Sequence, residues 1–202
     1  MPSIAVVMAT FNGEEWLDVQ LQSLPSQTRL PDRLIISDDG STDATVDIIQ
    51  EFARSAPFEV VLLDGPRVGD YGENFWFAGE HAAADIVAWC DQDDYWYPQK
   101  LQMCEQYMER YGVQFLSHSA MVTNATLTPT GRIFGRHRRT RVLKPLVGDP
   151  LHVPFGLTTF SVVSFCKWFV GMTDPTQCST TNVLDMTKRS RCSRSRHNGA
   201  LK

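Results

Sequence analysis

A short apolar stretch near the start of the chain decides the fold: Ile4-Ala5-Val6-Val7-Met8-Ala9, followed directly by the polar Thr10-Phe11-Asn12-Gly13. The apolar run is continuous rather than alternating and contains β-branched residues. That pattern is typical of a strand covered on both faces, as in a parallel sheet. We expect the strand to end where the polar residues begin, and Asn12 to cap a helix on which three leucines recur at helical spacing.

Strand-like and helix-like segments alternate along the chain that follows. Strands are predicted over residues 33–37, 58–63, 86–90 and 113–117, and helices around residues 46–52, 74–84 and 98–111. This alternation predicts an α/β fold with a Rossmann-like, open, mostly parallel sheet and flanking helices. Ligands bind such sheets beyond the carboxyl ends of the strands. Three polar segments are expected at that edge: Thr10–Gly13, Asp38–Asp43 and Asp91–Asp94.

The segment Asp91-Gln92-Asp93-Asp94 directly follows the predicted strand at residues 86–90. Its three carboxylates repel one another unless a cation or hydrogen-bond donors compensate them. Mg²⁺ or Mn²⁺ suits such a loop, because these ions take carboxylate oxygens and complete their shell with water and substrate phosphates. The alternative is a helix N-terminus decorated with acids. It fits less well, because the helix that begins near Pro98 lies too far downstream.

The segment Asp38–Asp43 allows two interpretations. Taken alone, it is an ordinary turn followed by a helix cap. Beside the other two polar segments it is a candidate for holding a nucleoside. Its carboxylates could accept hydrogen bonds from the base N–H groups and the ribose hydroxyls. The sequence has no GxxxxGK[ST] and no GxGxxG pattern, which disfavours ATPases and NAD-dependent enzymes.

Charge divides the chain into two regions, although the formal net charge is only -4. Residues 1–131 hold 20 of the 23 acidic residues, whereas residues 132–202 hold 13 of the 19 basic ones. We expect the acidic region to bind a cation, and the basic region to meet phosphates or an anionic membrane surface. A nucleic-acid partner is not expected, because no RRM, KH or helix-turn-helix signature accompanies the basic residues.

The opening of the chain and its apolar stretches predict a cytoplasmic protein. No signal-peptide pattern precedes the first strand, and no apolar run approaches the ~20 residues that cross a bilayer. The basic C-terminal region could add peripheral contact at the inner face of the cell membrane. The five cysteines are widely spaced without a CxxC pair, which disfavours a zinc site or a disulfide framework.

Three ordered motifs resemble the family 2 glycosyltransferases of the GT-A fold: residues 6–13, residues 35–43 and residues 89–96. The run Asp-Gln-Asp-Asp-x-Trp, followed by Lys100-Leu101, is similar to the rhamnosyltransferase-like branch that builds bacterial surface polysaccharides. The resemblance covers about residues 3–125. It implies a nucleotide-sugar-binding GT-A domain over residues 1–125 and a partial acceptor-side region over 126–172. The polar composition of residues 173–202 predicts a basic, disordered tail.

The resemblance implies an inverting, metal-dependent glycosyltransferase of cell-envelope polysaccharide synthesis. Its donor would be a UDP- or dTDP-sugar, its acceptor a saccharide or a lipid-linked molecule, and its cofactor Mg²⁺ or Mn²⁺. The residues that match the family's motifs are Thr10 and Phe11 in the nucleoside pocket, Asp38 or Asp39 at the base or ribose, Asn74 near the sugar-diphosphate, and Asp91 and Asp93 in the DxD motif. Of the last two, Asp93 is the stronger candidate for direct metal contact.

The general base is the part of the family pattern that this sequence does not show. In the family it lies in an acidic motif well after DxD, whereas beyond Glu109 the chain offers only Asp149, Asp174 and Asp185. A catalytically silent nucleotide-sugar-binding module or truncated remnant is therefore one alternative. A sugar nucleotidyltransferase is another, disfavoured because Thr10–Gly13 lacks the glycine-rich loop with Arg and Lys of those enzymes.

Overall fold

A computed structural model describes residues 1–134, 141–143, 159–162 and 183–185. Helices and strands alternate through the first part of the chain, as the sequence predicts. In chain order they are β1 (Ile4–Thr10), α1 (Leu17–Ser23), β2 (Arg33–Asp38), α2 (Thr45–Ser55), β3 (Glu59–Asp64), α3 (Tyr71–Glu80), β4 (Ile86–Cys90), α4 (Lys100–Tyr111), β5 (Phe115–Ser117), β6 (Ala120–Thr123), β7 (Pro129–Phe134), β8 (Arg141–Leu143), β9 (Thr159–Val162) and β10 (Val183–Asp185).

The main sheet is mixed, with a parallel half that contains the first four strands. Its order is β3-β2-β1-β4-β9-β5-β10-β8. Strands β3, β2, β1 and β4 pair in parallel with one another. Strand β9 is antiparallel to both β4 and β5, and β10 is parallel to β5. The predicted α/β fold with a mostly parallel sheet is confirmed.

The central strand β1 is buried on both faces, because successive side chains point to opposite sides of a sheet. Ile4, Val6 and Met8 belong to the apolar cluster beneath α1, α2 and α4. Ala5 and Val7 belong to the cluster on the other face, which α3 covers through Phe75 and Ala78. Helices on both faces explain why the β1 sequence is continuously apolar instead of alternating.

Three local predictions about the helices need correction. Asn12 does not cap α1, which begins at Leu17 without a side-chain cap. Helix α3 begins at Tyr71, earlier than predicted, because the Asp70 carboxylate caps it by accepting hydrogen bonds from the backbone N–H groups of the first turn. Pro98 lies in a turn, and α4 begins two residues later at Lys100.

The C-terminal regions are described only in part. Residues 126–128 lie in the connection of a β6–β7 hairpin, whose two strands pair antiparallel. Within the predicted tail, Val183–Asp185 form β10, and the boundaries at residues 125 and 172 stay predictions. Among the described residues, no helix combines the length and apolar character needed to cross a bilayer.

Asn74 on α3 joins the carboxyl ends of the first two strands. Its side chain is 2% exposed, and Nδ2 donates to the carbonyl oxygens of Thr10 at 3.3 Å and Ser37 at 3.0 Å. Because both partners are acceptors, the orientation of the carboxamide is unambiguous. The buried Asn74 amide therefore holds the carboxyl ends of β1 and β2 together.

We expect Asn74→Asp to lower the free energy of unfolding by about 3 kcal/mol or more at neutral pH. The variant keeps the shape of the side chain but turns a carboxylate oxygen toward two carbonyl oxygens, leaving a buried charge without a donor. Urea denaturation at pH 7 measures the change. Glu80→Gln, exposed at the end of the same helix, should change stability by no more than about 0.5 kcal/mol. An equally stable Asn74→Asp protein would contradict this role.

Candidate functional site

Three loops meet at the carboxyl edge of the parallel strands: the first loop (residues 10–14), the second loop (residues 38–45) and the acidic loop (Asp91–Asp94). The register explains their proximity. Thr10 at the end of β1 lies opposite Asp38 at the end of β2, and Met8 of β1 lies opposite Cys90 of β4. The first loop therefore lies between the two acid-rich loops.

Asp38 organises the second loop and is saturated by donors. Its carboxylate is buried, at 6% exposure. One oxygen accepts from the backbone N–H groups of Gly40 and Ser41 at 3.1 and 2.8 Å, and the other accepts from the hydroxyls of Thr10 at 2.9 Å and Ser41 at 2.6 Å. A carboxylate offers about four lone-pair sites, so these bonds occupy them.

Asp39 connects the second loop to the segment after β3. One carboxylate oxygen accepts from the backbone N–H of Val68 at 3.3 Å, and the other from that of Gly69 at 2.8 Å. Its own N–H donates to the carbonyl of Thr10. Unlike Asp38, Asp39 accepts only these two side-chain hydrogen bonds from the described part of the chain, which leaves acceptor capacity on both oxygens.

Arg67 lies at this edge and was missed by the sequence analysis. Its guanidinium donates to Asp64, with Nη2 at 2.8 Å from Oδ1. This bond raises the pKa of Arg67, and the charges of Asp38 and Asp39 raise it further. A Cβ atom at residue 40 would lie 3.5 Å from Arg67 Cγ, an ordinary van der Waals contact. Arg67 lies in the connecting segment Gly-Pro-Arg-Val-Gly. This segment has no helix or strand periodicity, so nothing in the sequence indicated that Arg67 lies at the site.

Hydrogen bonds hold the first and second loops together. The Asn12 side chain, which was predicted to cap α1, instead accepts from the backbone N–H of Thr42 at 2.9 Å, and the N–H of Asn12 donates to the Ser41 hydroxyl. Asn12 adopts a positive φ of 46°, a conformation that asparagine tolerates better than most residues. Glu14 accepts from the N–H of Ala44. These hydrogen bonds therefore fix the position of the first loop relative to the second.

The acidic loop is anchored at its downstream side by Gln27 of the turn after α1. Gln27 is 5% exposed, and its Nε2 donates to the carbonyl oxygen of Tyr97 at 2.9 Å. Its Oε1 accepts from the N–H of Leu101 at 3.1 Å, at the start of α4. One buried amide thus ties the chain that leaves the acidic loop to the helix that follows.

The carboxylates of the acidic loop have different environments. Asp93 is exposed, while Asp91 and Asp94 are partly buried. Burial, together with the charges of Asp91 and Asp93, raises the pKa of Asp94 to about 7, although the Lys100 ammonium opposes the shift. Lys100 Nζ lies 3.7 Å from the centroid of the Trp96 ring, a cation–π contact. The loop therefore carries excess negative charge, which one internal cation relieves only in part.

The predicted site residues are distributed between the surface and the interior. Thr10 and Asn74 are buried beneath the loops, at 1% and 2% exposure, whereas Phe11 exposes 53% of its surface. Asp185 is the last residue of β10 and lies opposite Ser117 of β5. This end of β10 is at the edge of the sheet where the other parallel strands end. Asp149 and Asp174 lie outside the described residues. Within the described ranges, no group of three or more His, Cys, Asp or Glu side chains could hold a metal ion by itself.

We expect the stability of the metal-free protein to depend on the ionisation of Asp94. The folded pKa is raised above that of the unfolded chain. The favourable contribution is therefore complete below pH ~4 and is lost as the pH rises through about 7. Asp94→Asn cannot ionise, so its advantage over wild type should grow across this window. We expect the stability advantage of Asp94→Asn to reach about 2 kcal/mol. This is about half of what the pKa shift alone would imply, because the carboxylate keeps some contact with solvent.

Urea denaturation in EDTA between pH 4 and pH 8 measures this difference. Asp47→Asn, exposed on α2, is the matched control and should track the wild type at each pH. A difference between Asp94→Asn and wild type that stays constant across the range would contradict the raised pKa.

Comparison with known proteins identifies the family. The family model "Glycosyl transferase family 2" matches residues 5–165. The dTDP-rhamnosyl transferase RfbG of Shigella flexneri is 37% identical over 99 residues, which are 47% of this chain and 34% of that protein. The structure of S. aureus TarS 1-349 matches with a TM-score of 0.66 at 20% identity, over 83% of this chain and 49% of that one.

A second solved structure, the mannosyltransferase PcManGT from Pyrobaculum calidifontis, matches with a TM-score of 0.53 at 21% identity, over 61% of this chain and 36% of that one. These structural likenesses show the fold. The chain spans about a third to a half of the length of these relatives. Because the family model covers most of the sequence, the chain belongs to glycosyl transferase family 2.

Proposed function

We propose that this chain transfers a sugar from a nucleotide-sugar donor to a saccharide or lipid-linked acceptor in cell-envelope polysaccharide synthesis. The observation that carries the proposal is the acidic loop, which lies beside the first loop at the carboxyl edge of the sheet in a family 2 chain. The relatives support a UDP- or dTDP-sugar donor. One is named a dTDP-rhamnosyl transferase, and TarS was solved with UDP and with UDP-GlcNAc.

The donor set of the acidic loop fits a divalent cation. Asp91 and Asp93 offer carboxylate oxygens of the kind that Mg²⁺ and Mn²⁺ prefer, and a bound cation would relieve the repulsion among the carboxylates of the loop. We propose that Asp91 and Asp93 would hold Mg²⁺ or Mn²⁺ together with the donor's diphosphate. When bound, the ion would neutralise charge on the departing diphosphate. PcManGT was solved with GDP-Man and Mn²⁺.

For the nucleoside, the hydrogen-bond pattern favours Asp39 over Asp38. The Asp38 carboxylate already accepts four hydrogen bonds, whereas Asp39 keeps acceptor capacity for a base N–H or a ribose hydroxyl. The exposed Phe11 ring offers a face against which a base can stack. Thr10 and Asn74 are buried and would support the site without contacting the nucleotide. Thr10 would orient Asp38 through its hydrogen bond, and Asn74 would hold the ends of β1 and β2 together.

We propose that the reaction is inverting, as the family resemblance implies. An acceptor hydroxyl attacks the anomeric carbon in line with the departing nucleoside diphosphate, and a carboxylate removes the hydroxyl proton. We propose Asp185 as this base, because β10 runs parallel to β5 and its carboxyl end therefore lies at the edge of the sheet that carries the acidic loop. Asp149 and Asp174 remain candidates outside the described residues.

Two further proposals concern the alternatives and the cellular location. Family membership favours glycosyl transfer over nucleotidyl transfer, and the silent-module alternative is tested by the assays below.

A cytoplasmic location, with the basic C-terminal region against the inner face of the membrane, remains a proposal. The division of charge along the chain supports it.

We expect Asp93→Ala to abolish the Mn²⁺-dependent part of UDP or dTDP affinity while leaving the metal-independent part nearly unchanged. Loss of one carboxylate ligand leaves the phosphate charge poorly compensated, whereas the nucleoside contacts persist. Isothermal titration with Mn²⁺ and with EDTA measures both parts. Asp47→Ala, exposed on α2, should behave as wild type. Metal-independent binding of equal strength in wild type and Asp93→Ala would refute the metal assignment.

We expect Asp185→Asn to lower the rate of nucleotide release from the donor sugar by roughly 10²- to 10⁴-fold, the usual contribution of a general base. Donor affinity should not change, because the base contacts the acceptor rather than the nucleotide. A coupled nucleotide-release assay with a lipid-linked or saccharide acceptor measures the rate. Asp174→Asn and Asp149→Asn are the matched comparisons. A large loss in one of them, with Asp185→Asn active, would move the base to that residue.

A further inference from the structure

Gln92, in the middle of the acidic loop, pairs with the backbone of the first loop. Its Oε1 accepts from the N–H of Phe11 at 3.0 Å, and its Nε2 donates to the carbonyl oxygen of the same residue at 3.1 Å. The carboxamide thus satisfies both backbone groups of Phe11, as a neighbouring strand would. The two residues are 81 positions apart in sequence, so the contact joins separate parts of the site.

Gly13 leaves the space that this pairing needs. A Cβ atom at residue 13 would lie 2.5 Å from Gln92 Oε1 and 2.8 Å from Gln92 Cδ, far inside van der Waals contact. The backbone of Gly13 cannot readily withdraw. Its N–H donates to the Thr45 hydroxyl at 2.7 Å, and its carbonyl accepts from the N–H groups of Trp16 and Leu17. Any side chain at position 13 would therefore displace the carboxamide of Gln92.

The pairing connects the two ends of the proposed ligand site. Phe11 follows Thr10, whose hydroxyl bonds to Asp38 of the second loop. Gln92 lies between Asp91 and Asp93 and shares their turn. Its side chain, directed toward Phe11, constrains the backbone that carries both neighbouring carboxylates. A nucleotide-sugar that reaches from the second loop to the acidic loop would span this contact.

We propose that Gln92 is a positioning residue that sets the distance between the nucleoside end and the metal-diphosphate end of the site. The proposal rests on the function proposed above and adds a role for a residue between the two metal-ligand candidates. By holding the loops at a constant separation, Gln92 lets one nucleotide engage both without reorganising either. It therefore strengthens the thermodynamic coupling between the cation and the nucleotide.

The test compares UDP, dTDP and GDP affinity with Mn²⁺ and with EDTA, by isothermal titration of the full chain. The ratio of the two dissociation constants is the coupling factor. Gln92→Ala removes two neutral hydrogen bonds and should lower this factor roughly tenfold, with the affinity in EDTA unchanged within about twofold. Gln22→Ala, exposed on α1, is the matched control. A role confined to stability would lower the melting temperature without changing the factor.

Gly13→Ala provides an independent second variant. Alone it should lower the coupling factor about as much as Gln92→Ala, because its methyl group displaces the carboxamide. In the Gln92→Ala background it should add little, because the displaced group is gone, and this non-additivity identifies Gln92 as the target. Hydrogen exchange of the Phe11 amide, measured by NMR without ligand, should accelerate in both single variants.

Each outcome separates the two proposals. A wild type whose binding of UDP, dTDP and GDP does not depend on Mn²⁺ would overturn the proposed metal assignment, and the positioning role with it. A Mn²⁺-dependent wild type with an unchanged coupling factor in Gln92→Ala would overturn the positioning role alone, even if the Phe11 amide exchanges faster. Additive effects of Gly13→Ala and Gln92→Ala would likewise overturn it.

Discussion

The site depends on the burial of β1 between two apolar layers. This strand pairs in parallel with β2 on one side and β4 on the other, and its side chains alternate between the clusters on the two faces. A one-residue slip would exchange those faces and move Thr10 away from Asp38, so the apolar packing also sets the register of the polar ends. The proximity of the three loops follows from this register.

The carboxylates at this edge are compensated in different ways. Neutral donors saturate Asp38, and backbone N–H groups hold Asp39. Asp94 is partly buried, with Lys100 as the nearby internal cation. Asp93 is exposed, and Asp91 is partly buried. The difference is one of environment, since all five residues are aspartates with the same intrinsic chemistry.

Carboxamides brace the site at three places. Asn74 joins the ends of β1 and β2, Gln27 holds the chain after the acidic loop, and Gln92 joins that loop to Phe11. A carboxamide suits this task because it both donates and accepts without carrying charge. At an edge crowded with aspartates, such braces add order without adding to the repulsion.

The sequence by itself determined the alternation of strands and helices, the parallel sheet and the three polar segments at its edge. These features follow from local periodicity and from the rule that parallel strands end at one edge. Helix boundaries were less predictable. Asn12 resembles a cap in sequence, but a tertiary partner, Thr42, takes its side chain, and Asp70 starts α3 earlier than its apolar residues indicate.

Only the tertiary structure decided which aspartate is saturated, which is shielded from water, and that Gln92 reaches Phe11. The physical reason is that hydrogen-bond partners and burial come from residues far apart in the chain. Gln92 and Phe11 are 81 positions apart, and Asn74 meets Thr10 across 64. Sequence periodicity reports which face of an element is apolar, but it contains no information about which distant backbone group a polar side chain will meet.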